Sequence, residues 1–183
     1  SAKDASIKSK TINNDSGQIT AQGILTTNSD SLNNSGQLYG KTGAKITTTD
    51  AINNSGIIGS GGNTNLIAGS LTQTDSGSLV AGMNADGKLT KTRANLSVKA
   101  SGDITSQGNL IATGDVQLTG GDINLAGSNT QGSRVKTTAR TGMNTSKATI
   151  TATDTLSLSS ADGVLDNTAG NLRGGVLEID AKQ

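Results

Sequence analysis

The sequence predicts an all-β fold, a parallel β-helix of about eight coils with roughly twenty residues to the coil. Three observations carry that expectation. A short phrase restarts on schedule, as INNDSGQI, LNNSGQL and INNSGII, and its leading aliphatics Ile12, Leu32 and Ile52 lie 20 and 20 residues apart. The glycines that follow, Gly17, Gly36, Gly56 and Gly77, step by 19, 20 and 21. Between the restarts run stretches such as QITAQGILTTNSD and QLYGKTGAKITTTD, where Val, Ile, Leu and Thr fall at alternate places and Gly, Asn and Asp punctuate. That is the pattern of short strands between turns, and the same residues disfavour helix. Three strands and three turns close one coil, which buries its apolar side only when neighbours stack on it.

Composition points to a thin core. The 183 residues include 25 Gly, no Pro, Cys, Trp or Phe and a single Tyr, Tyr39, and 31% are hydrophobic. A round globule of this length fills its volume with aromatics, so this chain must bury its aliphatics in something narrower. A net charge of +1 and regularly placed aliphatics separate it from a disordered chain, which pairs low hydrophobicity with high net charge. No shift in composition divides the sequence, and residues 1–183 read as one repeat segment. No apolar run approaches the ~18 residues of a membrane span, and no charged-then-apolar leader opens the chain. Because it does not begin with Met, it is read as an internal piece of a longer protein. The lack of Cys removes disulfides and thiolate metal sites and suits a chain that crosses membranes unfolded.

The elements follow in order. Inward positions are assigned to Ile12, Ile19 and Leu25 in the first coil, Leu32, Leu38 and Ile46 in the second, and Ile52, Ile58 and Leu66 in the third. Leu71, Leu79 and Leu89 serve the fourth. A fifth uses Leu96 or Val98 with Ile104 and Leu110, and a sixth opens with Val116 or Leu118 and Ile123 or Leu125. The last, VLDNTAGNLRGGVLEI, restores the opening phrase with Leu165, Asn167, Gly170, Leu172 and Leu177. Coils about 4.8 Å apart give a rod of roughly 40 Å. The phase between residues 83 and 160 stays open, because two stretches, 83–93 and 128–147, are more polar and more basic than a coil requires. Both are expected to be loops or an added hairpin on the rod. Neither terminal stretch resembles a capping repeat, so open coil faces and end-to-end association are expected of the isolated segment.

The repeated phrase has a mechanical reading. Gly17, Gly36, Gly56, Gly77 and Gly170 are placed to supply positive φ at a corner. Asn14, Asn34, Asn54 and Asn167 recur beside them, and the first three fall one above another, where their amides could form a ladder from coil to coil.

The pattern seen as INNDSGQI, LNNSGQL, INNSGII and LDNTAGNL, together with GSLVAGMNADGKL and GDINLAGS, resembles the haemagglutinin-type repeats of filamentous haemagglutinins and contact-dependent inhibition exoproteins of Gram-negative bacteria. The resemblance covers most of the chain. It implies a right-handed β-helical filament, exported by a dedicated outer-membrane two-partner secretion transporter and displayed on the cell surface. The Asn-Pro motifs of that family's secretion domain and the Val-Glu-Asn-Asn boundary of its toxin module are missing here. What resembles the family is the repeat shaft.

Chemistry is sparse. Without His or Cys there is no imidazole base, no thiol nucleophile and no transition-metal ligand of the usual kind, and the many Ser and Thr have no triad. Asp30 and Asp50 occupy equivalent repeat positions, but Asp is a common turn former; Ser70 and Arg93 are placed next on that column, and no aromatic platform for a sugar stands nearby. GGNTN at 61–65 has the glycines of the calcium nonapeptide without its Asp. No cofactor is expected and no enzyme, although polysaccharide-processing β-helices make that a distant alternative. Lys88, Lys91, Arg93 and Lys99, with Arg134, Lys136, Arg140 and Lys147, gather in or near the two polar stretches, where they could contact anionic glycans, lipopolysaccharide or lipid head groups. Nucleic acid is not expected as a partner, since there is almost no stacking surface and the net charge is near zero. The sequence thus reads as a structural shaft segment of a large secreted surface filament, presenting a distal binding or toxin region. The alternative is an adhesin segment that binds a cell-surface glycan or receptor through its insertions.

Overall fold

The structure, a computed structural model, describes residues 3–182; Ser1, Ala2 and Gln183, at the two ends of the expected 1–183 segment, lie outside the described residues. Its elements are strands, and they rotate through three sheets in fixed order. Sheet 1 stacks nine strands, from Ala5–Lys8 to Val176–Ala181; sheet 2 stacks eight, from Thr11–Asn14 to Leu165–Asp166; sheet 3 stacks eight, from Gln18–Ala21 to Asn171–Arg173. The pairings between sheet strands are parallel and join each coil to the next, as in Ile12 to Leu32 to Ile52. The result is a parallel β-helix of eight complete coils and a ninth strand.

Period-two alternation explains the interior. In a strand such as Ile24–Ser29 every second residue points inward, and register aligns these residues into columns. One column of sheet 1 runs Leu25, Ala44, Thr64, Leu96, Val116, Val135 and Leu156, all fully or almost fully buried. Sheet 2 contributes Ile12, Leu32, Ile52, Leu71, Ile104, Ile123 and Met143, and sheet 3 contributes Leu38, Ile58, Leu79, Leu110 and Ile150. Each buried aliphatic contributes about 1.5–3 kcal/mol over leaving it exposed, and the shaft is narrow enough that no aromatic is needed to fill it. The one tyrosine lies outside the helix core.

The first three coils are threaded as the periodicity predicts. The fourth departs: Leu89 is 52% exposed, and sheet 1 is continued instead by Leu96 and Val98 together. Both members of the pairs left open, Leu96 with Val98 and Val116 with Leu118, face inward, because sheet 1 strands are long enough to bury two or three residues each. Ile123 and Leu125 are likewise both buried. Leu177 stands beneath Leu156 on an inward column, yet it is 49% exposed because it belongs to the outermost described strand.

Of the two polar stretches, 128–147 is an ordinary coil, which corrects the expectation of a loop or hairpin there. It supplies strands to all three sheets, Asn129–Gly132, Val135–Ala139 and Met143–Asn144, each paired with coils on both sides. Beside Val135 and Met143, its inward places hold Thr130 and Thr137, each with no exposed surface, so hydroxyl-bearing residues stand where the apolar rhythm elsewhere puts Leu or Ile, and Thr145 is equally buried at the corner. Across 83–93 the geometry is different. Asn63 and Asn95, bonded neighbours on successive coils, are 32 residues apart rather than about 20. The extra residues turn on Gly82 (φ 84°) and Gly87 (φ 80°), with Asn84 N–H donating to Lys88 O at 2.8 Å and an antiparallel bridge between Met83 and Leu89. Most of this hairpin is exposed, at 85–89 and again at 91–93, but its base is buried. Met83 is 1% exposed and packs with Tyr39 and Val80 on the outside of sheet 3. A Cβ at Gly59 would lie 2.9 Å from the Met83 sulfur, so glycine there opens the seat for it. The Tyr39 hydroxyl donates to Met83 O at 3.3 Å, and burial first, then the nearby Asp86 carboxylate, pushes its pKa up.

Because Ile52 has no exposed surface and stacks between Leu32 and Leu71, Ile52→Asp is expected to cost more than about 4 kcal/mol by placing an unpaired carboxylate among aliphatics. Lys41→Ala, on an exposed corner, is expected to change stability by less than about 0.5 kcal/mol. Urea unfolding of the two variants measures the difference; equal effects would mean that Ile52 does not face the core.

Candidate functional site

The corner between sheets 2 and 3 holds the repeated phrase. Asn14, Asn34 and Asn54 occupy inward places at the ends of successive sheet 2 strands, all 5% exposed or less. Asn14 Nδ2 donates to Asn34 Oδ1 at 2.7 Å, and Asn34 Nδ2 to Asn54 Oδ1 at 2.8 Å. Asn54 then donates to Gln73 Oε1 at 3.0 Å, and Gln73 to Ser106 Oγ at 3.1 Å. Each amide also reaches the corner backbone, Asn34 donating to Gly36 O and Ile57 O, both at 3.2 Å. These side chains therefore satisfy carbonyls that the bend in the chain turns away from the sheets. Asn167 belongs to the same corner far along the rod, where it accepts from Thr145 Oγ1 at 2.9 Å; Leu125 interrupts the polar column between. A second, exposed ladder runs outside it through Asn13, Asn33 and Asn53, with 2.8 Å links.

The corner glycines do something other than expected. Positive φ is found at Ser16, Lys147, Ala169, Gly82, Gly87 and Gly127, and Gly17, Gly36, Gly56, Gly77 and Gly170 are not among these residues. Their role is close approach. A Cβ on Gly36 would lie 2.0 Å from Gly17 O, and one on Gly56 would lie 2.1 Å from Gly36 O. Stacking one corner on the next leaves no room for a side chain, whereas the residue just before the glycine carries the left-handed turn in the longer corners such as that at Ser16.

A further corner column escaped the sequence reading. Between sheets 3 and 1, Asp4 accepts from the Ile24 N–H at 2.7 Å, Asn63 from Asn95 N–H at 2.8 Å, Asn95 from Asp115 N–H at 2.8 Å, and Asp115 from Arg134 N–H at 3.3 Å. Each side chain receives a backbone N–H of the following coil. The signal was present in the Gly-Asn and Gly-Asp pairs ahead of strands, as in GGNTNL and GDVQL.

The basic residues scatter. Arg93 and Arg134 both bind Asp115, at 2.8 and 2.7 Å. The Arg134 hydrogen bond is the main reason that the Asp115 carboxyl is held below its ordinary pKa, so this clamp contributes stability above the usual carboxylate pKa and loses it only as pH falls through the lowered value. Arg140 bonds Ser101 O, while Lys136 points outward from a sheet 1 strand and Lys147 is exposed on a corner. Lys88 and Lys91 are exposed on the hairpin. These residues do not converge on one site. Arg93 is also not on the column of Asp30 and Asp50, as the spacing had placed it, but across the rod at the corner between sheets 3 and 1, because the hairpin shifts the phase before it. Asp50 stacks on Asp30 through a 2.8 Å backbone bond, and Ser70 follows.

Replacing Asn34 by Leu removes the acceptor of Asn14 and the donor to Asn54 within a buried stack, and is expected to cost about 2–3 kcal/mol. Asn33→Leu, which removes only links in the exposed ladder, is expected to cost less than about 0.5 kcal/mol. Denaturant midpoints at constant m-value read the contrast, and equal costs would remove the inner ladder as a stabilising element.

The profile of the haemagglutinin repeat matches this chain over residues 1–56, 37–105, 83–160 and 160–183. Over 123 residues the chain is 31% identical to the Toxin CdiA of Yersinia pestis, an alignment that takes in 65% of this chain and 4% of that protein. No solved structure matches it. The recurring asparagine corner, the stacked coils of about twenty residues and the profile that follows them along the chain agree: this chain belongs to the haemagglutinin repeat family.

Proposed function

We propose that this chain is a shaft segment of a large secreted filament of the haemagglutinin or contact-dependent inhibition type, which carries a distal binding or toxin region away from the producing cell. The observation that supports this reading most is the continuity of the three sheets: even the hairpin insertion sits at a corner and leaves all of them running from coil to coil. Successive coils pair their backbone groups along the axis, which gives stiffness and reach without disulfide or cofactor. The relative is a toxin of which this chain spans 4%, so toxicity is a property of the parent filament in this reading. Export through an outer-membrane two-partner transporter and display on the cell surface follow from the same family reading. Among the described residues no helix is long and apolar enough to cross a membrane. The adhesin reading, in which insertions bind a glycan or receptor, rests on the hairpin with Lys88 and Lys91, since Arg134, Lys136 and Arg140 lie on a regular coil.

A spacer tolerates the loss of a whole repeat but not of part of one. Removing residues 31–50 from the parent filament joins one sheet 2 strand start to the next in register, and display and cell-contact activity are expected to persist. Removing residues 31–40 breaks the register and is expected to abolish protease-resistant display. Loss of contact activity with normal display after the whole-coil deletion would contradict the shaft assignment and mark this segment as a receptor-binding element.

A further inference from the structure

The lysines of the shaft are sorted by face. Four of them lie within strands, Lys8, Lys45, Lys99 and Lys136, and all four are on the outer face of sheet 1. Strands of sheets 2 and 3 carry no lysine among the described residues. In the order of sheet 1 the four occupy the first, third, fifth and seventh strands. Register divides them between two outward columns. Lys8 connects through Asn28, Thr47 and Ile67 to Lys99, and Lys45 connects through Asn65, Ser97 and Gln117 to Lys136. The cations therefore form a regular zigzag along the rod. With strands about 4.8 Å apart, successive lysines advance about 10 Å, and the two columns, two residues apart along a strand, are separated by about 7 Å.

Each of these lysines is exposed, and none is in an ion pair among the described residues. The sheet 1 strands bear no carboxylate until Glu178 and Asp180 on the ninth. Acids keep to the edges: Asp30, Asp50, Asp103 and Asp122 border the strip along the corner with sheet 2, while on the opposite corner Asp115 is held by two arginines. The spaces between lysines present hydroxyls and amides, such as Thr47, Asn65 and Gln117, and one exposed aliphatic, Ile67, beside Lys99. A straight, positively charged track edged by acids favours a polyanion lying along the rod axis over one crossing it.

We infer that the outer face of sheet 1 is a docking strip for an extended acidic polysaccharide with one carboxylate per disaccharide. Two sugars of an extended β-linked chain span a length comparable to two coils, which matches a lysine on every second strand. Isolated lysines act as point charges and suit such sparse charge; a densely sulfated chain calls for clustered, bidentate guanidiniums, and this face has none. Hydroxyl and amide side chains supply hydrogen bonds to the sugar between charges. The strip is independent of the hairpin and of whatever the filament presents at its tip.

The test uses this chain with hyaluronan oligosaccharides as the probe, neutral dextran and phosphatidylglycerol vesicles as alternatives, and melting temperature as the check on folding. Hyaluronan is expected to bind at low ionic strength and to be released by salt, since the charges are exposed. Lys45→Gln with Lys136→Gln should weaken binding about tenfold, the scale of two exposed ion pairs, while Lys88→Gln with Lys91→Gln on the hairpin leaves it unchanged. Lys99→Gln with Gln117→Lys keeps the charge but breaks the alternation, and should weaken binding as well. No binding of hyaluronan at low salt, equal binding of dextran, adsorption to vesicles alone, equal loss in the hairpin variant, or full binding by the charge-preserving swap would each overturn the assignment.

Discussion

Backbone hydrogen bonding between successive coils is the interaction on which everything else in this molecule depends. Within a coil the strands belong to different sheets and cannot pair with one another, so the N–H and C=O groups of each strand find partners only in the coils on either side. That requirement fixes a short axial repeat at every point of the circumference, including the corners. Gly36 and Gly56 are consequences of it, since a side chain at either would collide with the corner before it. So is the inner amide column, because a bent corner leaves carbonyls that a sheet cannot satisfy and Asn34 or Asn54 can. The hairpin after Gly82 is tolerated for the same reason: it leaves at a corner and rejoins in register, so no sheet loses a strand.

Where the sequence kept its apolar rhythm, the fold could be read from it. Ile12, Leu32, Ile52 and their successors mark the interior because a buried column in a narrow tube accepts little but aliphatics. The reading failed where the inside became polar. Thr130, Thr137 and Thr145 are as buried as any leucine, but nothing in a hydrophobic pattern separates them from the exposed threonines around them, so a regular coil at 128–147 reads as a protrusion. Leu89 misled in the opposite direction, an aliphatic at the right spacing that a hairpin carries out to solvent. The corner asparagines were visible as a repeat, whereas the function of the neighbouring glycines depended on distances between coils that no local conformational preference encodes.

The same distances organise the surface. A sequence of isolated lysines has no evident order until parallel register places them on alternate strands of one sheet, and the two arginines nearest that face are withdrawn from it by Asp115. Stacking therefore sets both the stiffness that a shaft requires and the spacing of charge along it. Buried hydroxyls without a hydrogen-bond partner in the protein are spread along the rod, at Thr27 and Ser29 near its beginning and at Ser128, Thr130, Thr137 and Ser160 farther along.

Amide hydrogen exchange under native conditions tests the central claim most directly, because it reads coil-to-coil bonding residue by residue. Strand amides in all three sheets, such as those of Leu32, Leu66 and Leu79, are predicted to exchange only through large-scale opening and with similar protection, while Ala85, Lys91 and Arg93 of the hairpin, whose N–H groups make no such bonds, exchange rapidly. Strand amides that exchange as fast as the hairpin, or one sheet protected while the other two are not, would contradict a continuous stack of coils.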